Sequence, residues 1–105
     1  MNNPTFNAVL EDMKRIHDAK NADYTGVTGN PYANFELAAE IAGVSVDTVF
    51  AVMIANKVAR LREVTRPGAV ANYESARDNM IDLANYAVLR VSYAIDHSAP
   101  VEEPF

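Results

Sequence analysis

Cysteine is absent from this chain of 105 residues. Without a thiol the protein can form no disulfide framework, no thiolate metal site and no cysteine nucleophile. Glycine is scarce, with four residues, whereas half of the residues are hydrophobic. This composition is typical of a folded globular chain and not of a disordered one. At this length we expect a single domain with a modest core.

The chain also has fewer positive than negative residues, with nine Lys and Arg against 14 Asp and Glu, so its net charge is −5. Such a chain gains no nonspecific attraction to nucleic acid or anionic lipid, although free nucleotides chelated by a metal stay compatible with it. No apolar run approaches the roughly 18 residues that span a bilayer, and the first residues lack a secretion signal. We therefore expect a soluble cytoplasmic protein without membrane or nucleic-acid partners.

Strand-like alternation is missing as well, and the spacing of apolar residues predicts an all-α protein with four helices. Gly43 and Pro67 are the expected helix breaks. Residues 1–96 should form one helical domain, and residues 97–105 have the composition of a flexible tail. The first predicted helix runs from Pro4, capped by Asn3, to near Ala19, and a long loop follows over Lys20–Asn34. The second runs from Phe35 to Ala42. The third runs from Val46, capped by Ser45, to near Val64, and the fourth from Asn72 to Asp96.

The last predicted helix carries a strip of oxygen-bearing side chains: Glu74, Asp78, Asp82 and Asn85. At 100° per residue these four positions fall within about 80° of arc. A carboxylate strip beside an apolar face is how a helical protein builds a site for a divalent cation. The alternative is a solvated face in which Glu74 and Asp78 stabilise the helix dipole, but Asp82 and Asn85 lie too deep in the helix for that explanation.

The third predicted helix places Lys57 and Arg60 on the same side as its large apolar residues. Buried cations are rare without partners, so we expect them to bind phosphate or to orient acidic side chains. The alternative is that their charged ends reach water or form a plain ion pair with acids of the second or last helix. The opposite side of this helix is small and apolar and predicts packing against a second subunit. It comprises Ala51, Ala55, Val58 and Ala59.

Three segments together resemble a known family: Lys20–Gly26 (KNADYTG), the helix with Lys57 and Arg60-Leu61, and Glu74–Ala87 (ESARDNMIDLANYA). With Glu36-x-x-x-Glu40 and Asp82-x-x-Asn85, they resemble the all-α nucleotide pyrophosphohydrolases of the MazG-like superfamily. The nearest resemblance is to its phage and bacterial nucleotide-modification-associated family.

This resemblance implies a small four-helix MazG-like bundle, completed by oligomerisation to a dimer or tetramer and encoded by a phage. It also implies Mg²⁺-dependent hydrolysis of an NTP or dNTP to a monophosphate and pyrophosphate, with Mn²⁺ as a substitute metal. Carried over residue by residue, the resemblance implies that Glu40, Glu74 and Asp78 are metal ligands. It implies that Glu36 and Asp82 are catalytic, as ligands or as water-orienting groups. The residues that it assigns to substrate binding are Lys20, Asn21, Asp23, Tyr24, Asn34, Lys57, Arg60 and Asn85.

The chain departs from the superfamily pattern at two places. Glu36 and Glu40 are four residues apart instead of three, and the amide of Asn85 stands where a carboxylate is expected. An amide oxygen can still ligate Mg²⁺, but it removes one negative charge. The alternative function is therefore a protein that binds or sequesters a nucleotide or cyclic nucleotide without turning it over.

The second predicted helix and its approach leave the role of several apolar side chains open. Leu37, Ala38 and Ile41 are expected to face the interior. Tyr32 and Phe35 either stack on a nucleotide base or anchor the helix start in the core. The same choice applies to Tyr24 in the long predicted loop.

A third function class has a sequence basis in Ala38–Val52, which follows the helix-turn-helix pattern of repressor DNA-binding domains. Its would-be recognition helix begins with Val46, Asp47 and Phe50. No Arg, Asn or Gln is available for base edges before Asn56, and the domain is acidic. Sequence-specific DNA binding is the weakest of the three hypotheses.

Overall fold

The computed structural model describes residues 2–25, 29–68 and 73–98, with side chains except those of residues 21–25 and 73–75. Within these ranges the protein is all-helical and contains no strand, as predicted. Its helices are α1 (Pro4–Thr25), α2 (Ala33–Ala42), α3 (Val46–Thr65) and α4 (Tyr73–His97). None of these described helices is by itself long and apolar enough to cross a membrane, whereas α2 and α3 as a bent pair meet that test of length and composition.

The chain divides into two compact units. Unit 1 is Met1–Val46 and contains α1 and α2. Unit 2 is Asp47–Phe105 and contains α4 and all of α3 except its first residue.

Helix α1 begins as its sequence predicts, because the Phe6 N–H donates to Asn3 Oδ1 at 2.9 Å and Pro4 occupies the first helical position. It ends later than predicted, at Thr25 instead of near Ala19. The predicted end rested on the loss of apolar periodicity, but extending an existing helix by one residue costs little and no Gly or Pro intervenes before Gly26. Residues 20–25 therefore belong to α1 and not to the predicted long loop.

Helix α2 is preceded by a turn built on Asn30. Its Oδ1 accepts the Tyr32 N–H at 3.0 Å, and its Nδ2 donates to Glu36 Oε1 at 2.6 Å. The helix begins at Ala33, two residues before the predicted Phe35. Tyr32 and Phe35 are buried, with exposed fractions of 5% and 9%. They anchor the start of α2 in the core, which is the second of the two roles considered for them.

The expectation for the other apolar residues of α2 is wrong. Leu37 and Ile41 are 54% and 78% exposed, and Ala38 is also exposed, whereas Ala39 is buried. The helix is apolar on several sides, so its periodicity does not decide which side faces the interior. Its end is as predicted: Gly43 adopts φ 69°, and the Val44 N–H donates to the carbonyl of Ala39 at 3.0 Å, which closes a Schellman motif.

In unit 2, α3 and α4 form an antiparallel hairpin. Asp47 near the start of α3 pairs with Arg90 late in α4, whereas Lys57 further along α3 pairs with Asp82 earlier in α4. Phe50 is the fully buried side chain among the described residues, and its ring centroid lies 6.1 Å from that of Tyr93. The predicted start of α4 at Asn72 lies outside the described residues. The helix ends one residue later than predicted, so that His97 belongs to the helix and stacks on Tyr93.

Candidate functional site

The central feature of unit 2 is an ion pair between its two helices. Lys57 Nζ lies 2.9 Å from Asp82 Oδ2, and the two side chains are 15% and 19% exposed. The sequence offered two sets of acids as partners for Lys57, on the second and on the last helix, and the structure pairs it with the last. Two charges with so little access to water lose most of their hydration, so each depends on the other.

The acidic strip of α4 leads from solvent to this ion pair. Asp78 is exposed, whereas Asp82, one turn later, and Asn85 are half-buried. The helix is continuous through all three positions, so they share one side as predicted. The side chain of Glu74 lies outside the described residues.

A cavity of about 430 Å³ opens beside Lys57. Its walls combine cations, an amide, an aromatic ring and a thioether, and ligand sites in proteins likewise combine apolar walls with a few polar groups. Arg60, the second cation, is exposed to solvent. The lining residues are Met53, Asn56, Lys57, Ala59, Arg60 and Tyr86.

A second cavity, of about 320 Å³, shares Ala59 and Arg60 with the first. It is lined further by Glu63, Val64 and Asn79. Asn79 is only 7% exposed, and neither Asn79 nor Tyr86 is among the site residues predicted from the sequence. The signal was available, because Asn79 and Tyr86 lie three residues before and four after Asp82 and therefore share its side of the helix.

The acids of α2 lie in unit 1. Glu36 is half-buried and accepts the hydrogen bond from Asn30, so its carboxylate orders the turn before α2. Glu40 is exposed, and so is Asn34, which lies within α2 and is not its cap. The N-cap position belongs to Tyr32.

Four of the predicted substrate-binding residues lie on the last turns of α1 and not in a loop: Lys20, Asn21, Asp23 and Tyr24. Lys20 is exposed. The side chains of the other three lie outside the described residues.

The oxygen donors of α4 fit Mg²⁺ by their chemistry. Asp78 and Asp82 offer two carboxylates one turn apart, and Asn85 offers an amide oxygen; hard oxygen ligands of this kind are what Mg²⁺ prefers. Among the side chains that the structure describes, no three from His, Asp and Glu come together as a metal-binding group.

Two residues that a helix-turn-helix motif would use for recognition, Phe50 and Asp47, make contacts within unit 2. Phe50, which such a motif would turn towards DNA, is fully buried and contacts Tyr93. Asp47 faces Arg90, with 3.5 Å between carboxylate and guanidinium. Phe50 therefore packs within the hairpin and cannot read base edges, whereas Asp47 stays 61% exposed.

Comparison of the chain with protein-family models, with curated proteins and with solved structures finds no match.

Proposed function

We propose that unit 2 binds a nucleoside triphosphate together with Mg²⁺ and hydrolyses it to a monophosphate and pyrophosphate. The observation that carries the proposal is the half-buried Lys57–Asp82 ion pair in the wall of a cavity that Arg60 also lines. The ion pair keeps the Lys57 ammonium at the cavity, with the Asp82 carboxylate 2.9 Å from it. Phosphate groups need such cations, and the exposed Asp78 extends the acidic strip to where a metal-bound triphosphate can approach.

Each side chain then has a distinct task. Lys57 and Arg60 contact phosphate oxygens, while Asp82 holds the Lys57 ammonium in position. Asp78 is the metal-facing part of the strip, and Asn85 orients water or ligates through its amide oxygen. When bound, Mg²⁺ supplies positive charge that neutralises the phosphate oxygens during hydrolysis.

The proposal is tested by incubating the purified protein with Mg²⁺ and a panel of ribo- and deoxyribonucleoside triphosphates, and resolving the products. We expect monophosphate and pyrophosphate from at least one substrate, and no products when EDTA replaces the metal. Release of inorganic phosphate and a diphosphate instead would contradict the assigned reaction, because a different bond would have been cleaved.

A second candidate is binding of a nucleotide or cyclic nucleotide without turnover. Two observations favour it: Asn85 is a half-buried amide where the pyrophosphohydrolases carry a carboxylate, and Glu36 is hydrogen-bonded to Asn30. A thermal-shift assay distinguishes it from the enzyme. A nucleotide that raises the melting temperature while remaining intact after prolonged incubation would establish binding and exclude hydrolysis of that nucleotide.

We further propose that the helices belong to a MazG-like bundle completed by other copies of the chain, as a dimer or tetramer. The predicted subunit-packing side of α3, which comprises Ala51, Ala55, Val58 and Ala59, is exposed in the structure, and Ala59 at its edge also lines the cavity. Small side chains of this kind let a second helix approach closely.

Substituting Ala55 with Glu should dissociate this assembly, because a carboxylate in the middle of an apolar helix contact loses its hydration. Light scattering coupled to size-exclusion chromatography would show the mass fall to that of the 11.5 kDa monomer. Ala8→Glu, the same substitution at an exposed position on α1, is the charge-matched comparison. A wild-type protein that already elutes as a monomer would overturn the proposal.

A further inference from the structure

We propose that Tyr86, with Met53 beside it, is the surface on which the base of the bound nucleotide stacks, an inference that rests on the proposed function. The aromatic residues that the sequence offered for this task near α2, Tyr32 and Phe35, are buried in the core. Tyr86 is half-buried and lines the cavity that contains Lys57 and Arg60.

The antiparallel hairpin gives this cavity two chemically different ends. Tyr86 lies four residues after Asp82 on α4, and Met53 lies four residues before Lys57 on α3. Because the two helices run in opposite directions, Tyr86 and Met53 are both displaced towards the same end of the hairpin. Each lies about 6 Å along its helix axis from its partner in the Lys57–Asp82 ion pair. An aromatic ring and a thioether therefore lie together at one end of the cavity.

In the opposite direction from the Lys57–Asp82 ion pair, the two helices carry charged side chains. Arg60 lies three residues after Lys57 on α3, and Asp78 lies four residues before Asp82 on α4. The ion pair thus separates the aromatic end of the cavity from the end that the Arg60 guanidinium lines, and the exposed Asp78 follows in the same direction along α4. This polarity matches a nucleotide, whose planar base and charged phosphates lie at opposite ends of the molecule.

The chemistry of the aromatic end also sets the kind of specificity expected. Stacking on Tyr86 accepts any planar base, and the unbranched Met53 side chain can adjust to its outline. Asn56 lines the same cavity and carries both a donor and an acceptor for the base edge. The site should therefore require a base, and discriminate among bases through Asn56.

The first test uses fluorescence, because the chain contains no tryptophan and Tyr86→Trp introduces a single strong fluorophore at the aromatic end. Titration with a nucleoside triphosphate and Mg²⁺ should quench its emission, whereas inorganic tripolyphosphate, which carries the charge but no base, should bind without quenching. Tyr93→Trp is the matched control. It lies two turns further along α4, contacts Phe50 and His97, and should not respond to either ligand.

The second test measures affinity by calorimetry. Tyr86→Leu should weaken nucleotide binding about tenfold or more, the usual size of a lost base–aromatic stack, and leave tripolyphosphate affinity unchanged. Tyr86→Phe keeps the ring and should bind the nucleotide like the wild type. An equal loss for both ligands in Tyr86→Leu would make Tyr86 a structural residue and overturn the inference.

The outcomes separate this inference from the function on which it rests. If the wild type binds nucleotide and tripolyphosphate equally well and neither Tyr86 variant distinguishes them, the stacking assignment is wrong and phosphate binding stands. If the wild type binds neither ligand, the proposed function is wrong and this inference is overturned with it.

Discussion

Replacing Lys57 with Met is expected to lower the free energy of unfolding by about 3 kcal/mol. The substitution removes the ammonium that lies 2.9 Å from Asp82, at a place where the two side chains are 15% and 19% exposed. The carboxylate then keeps its desolvation cost without its cation, while Met retains the apolar length of the Lys stem. Urea denaturation followed by circular dichroism measures the change.

Two comparison variants make this result specific. Arg90→Met breaks the Asp47–Arg90 pair between the same two helices, but those side chains are 61% and 49% exposed, so the cost should stay below about 1 kcal/mol. The double variant Lys57→Met/Asp82→Leu removes both charges and should recover most of the lost stability. If Lys57→Met were no more harmful than Arg90→Met, the ion pair would not be a significant part of the hairpin.

The double variant also separates the structural role of Lys57 from its functional role. Its fold is expected to be restored, but the cavity has lost the cation that binds phosphate. Nucleotide affinity should therefore remain low in a stable protein. A stable double variant that binds the nucleotide like the wild type would show that Lys57 serves the fold alone.

Asp78→Ala has the largest expected effect on activity. A metal site supplies several kcal/mol of transition-state stabilisation, so losing an essential ligand should lower the hydrolysis rate about 100-fold or more. Asp78 is exposed on α4, so the melting temperature in the absence of ligand should hardly change. Initial rates of pyrophosphate release over a range of Mg²⁺ concentrations measure the effect.

Asp18→Ala is the control for charge. It removes one exposed carboxylate from α1, where Asp18 pairs with Lys14 at 3.0 Å, and should leave the hydrolysis rate unaltered. Unchanged turnover in Asp78→Ala as well would remove Asp78 from the site. An equal loss of activity in Asp18→Ala and Asp78→Ala would indicate that net charge, and not a metal ligand, controls the activity.

The local features of the fold were predictable because single residues decide them. Asn3 and Pro4 begin α1, Gly43 ends α2 with a positive φ, and Pro67 follows the end of α3 at Thr65. Each acts through the backbone of its own turn, and no distant contact is needed. The end of α1 was mispredicted for the same reason, since residues 20–25 contain no such signal.

The candidate site was predictable only where it lies along one helix. The 3.6-residue period alone places Asp78, Asp82 and Asn85 on one side of α4. It does not indicate that Asp82 is the partner of Lys57, because acids on two helices were equally available to that residue in the sequence. The Glu74 side chain, part of the same predicted strip, lies outside the described residues.

The sequence by itself determined that the chain is helical, where most of its helices begin and end, and which residues share a side of each helix. Only the tertiary structure decided that Lys57 pairs with Asp82, that Tyr86 and Asn79 line cavities, and that Phe35 instead of Leu37 is buried. The reason is that periodicity specifies angles within one helix, whereas contacts between helices depend on how each helix is rotated and aligned against its neighbour, which requires the packing of the folded chain.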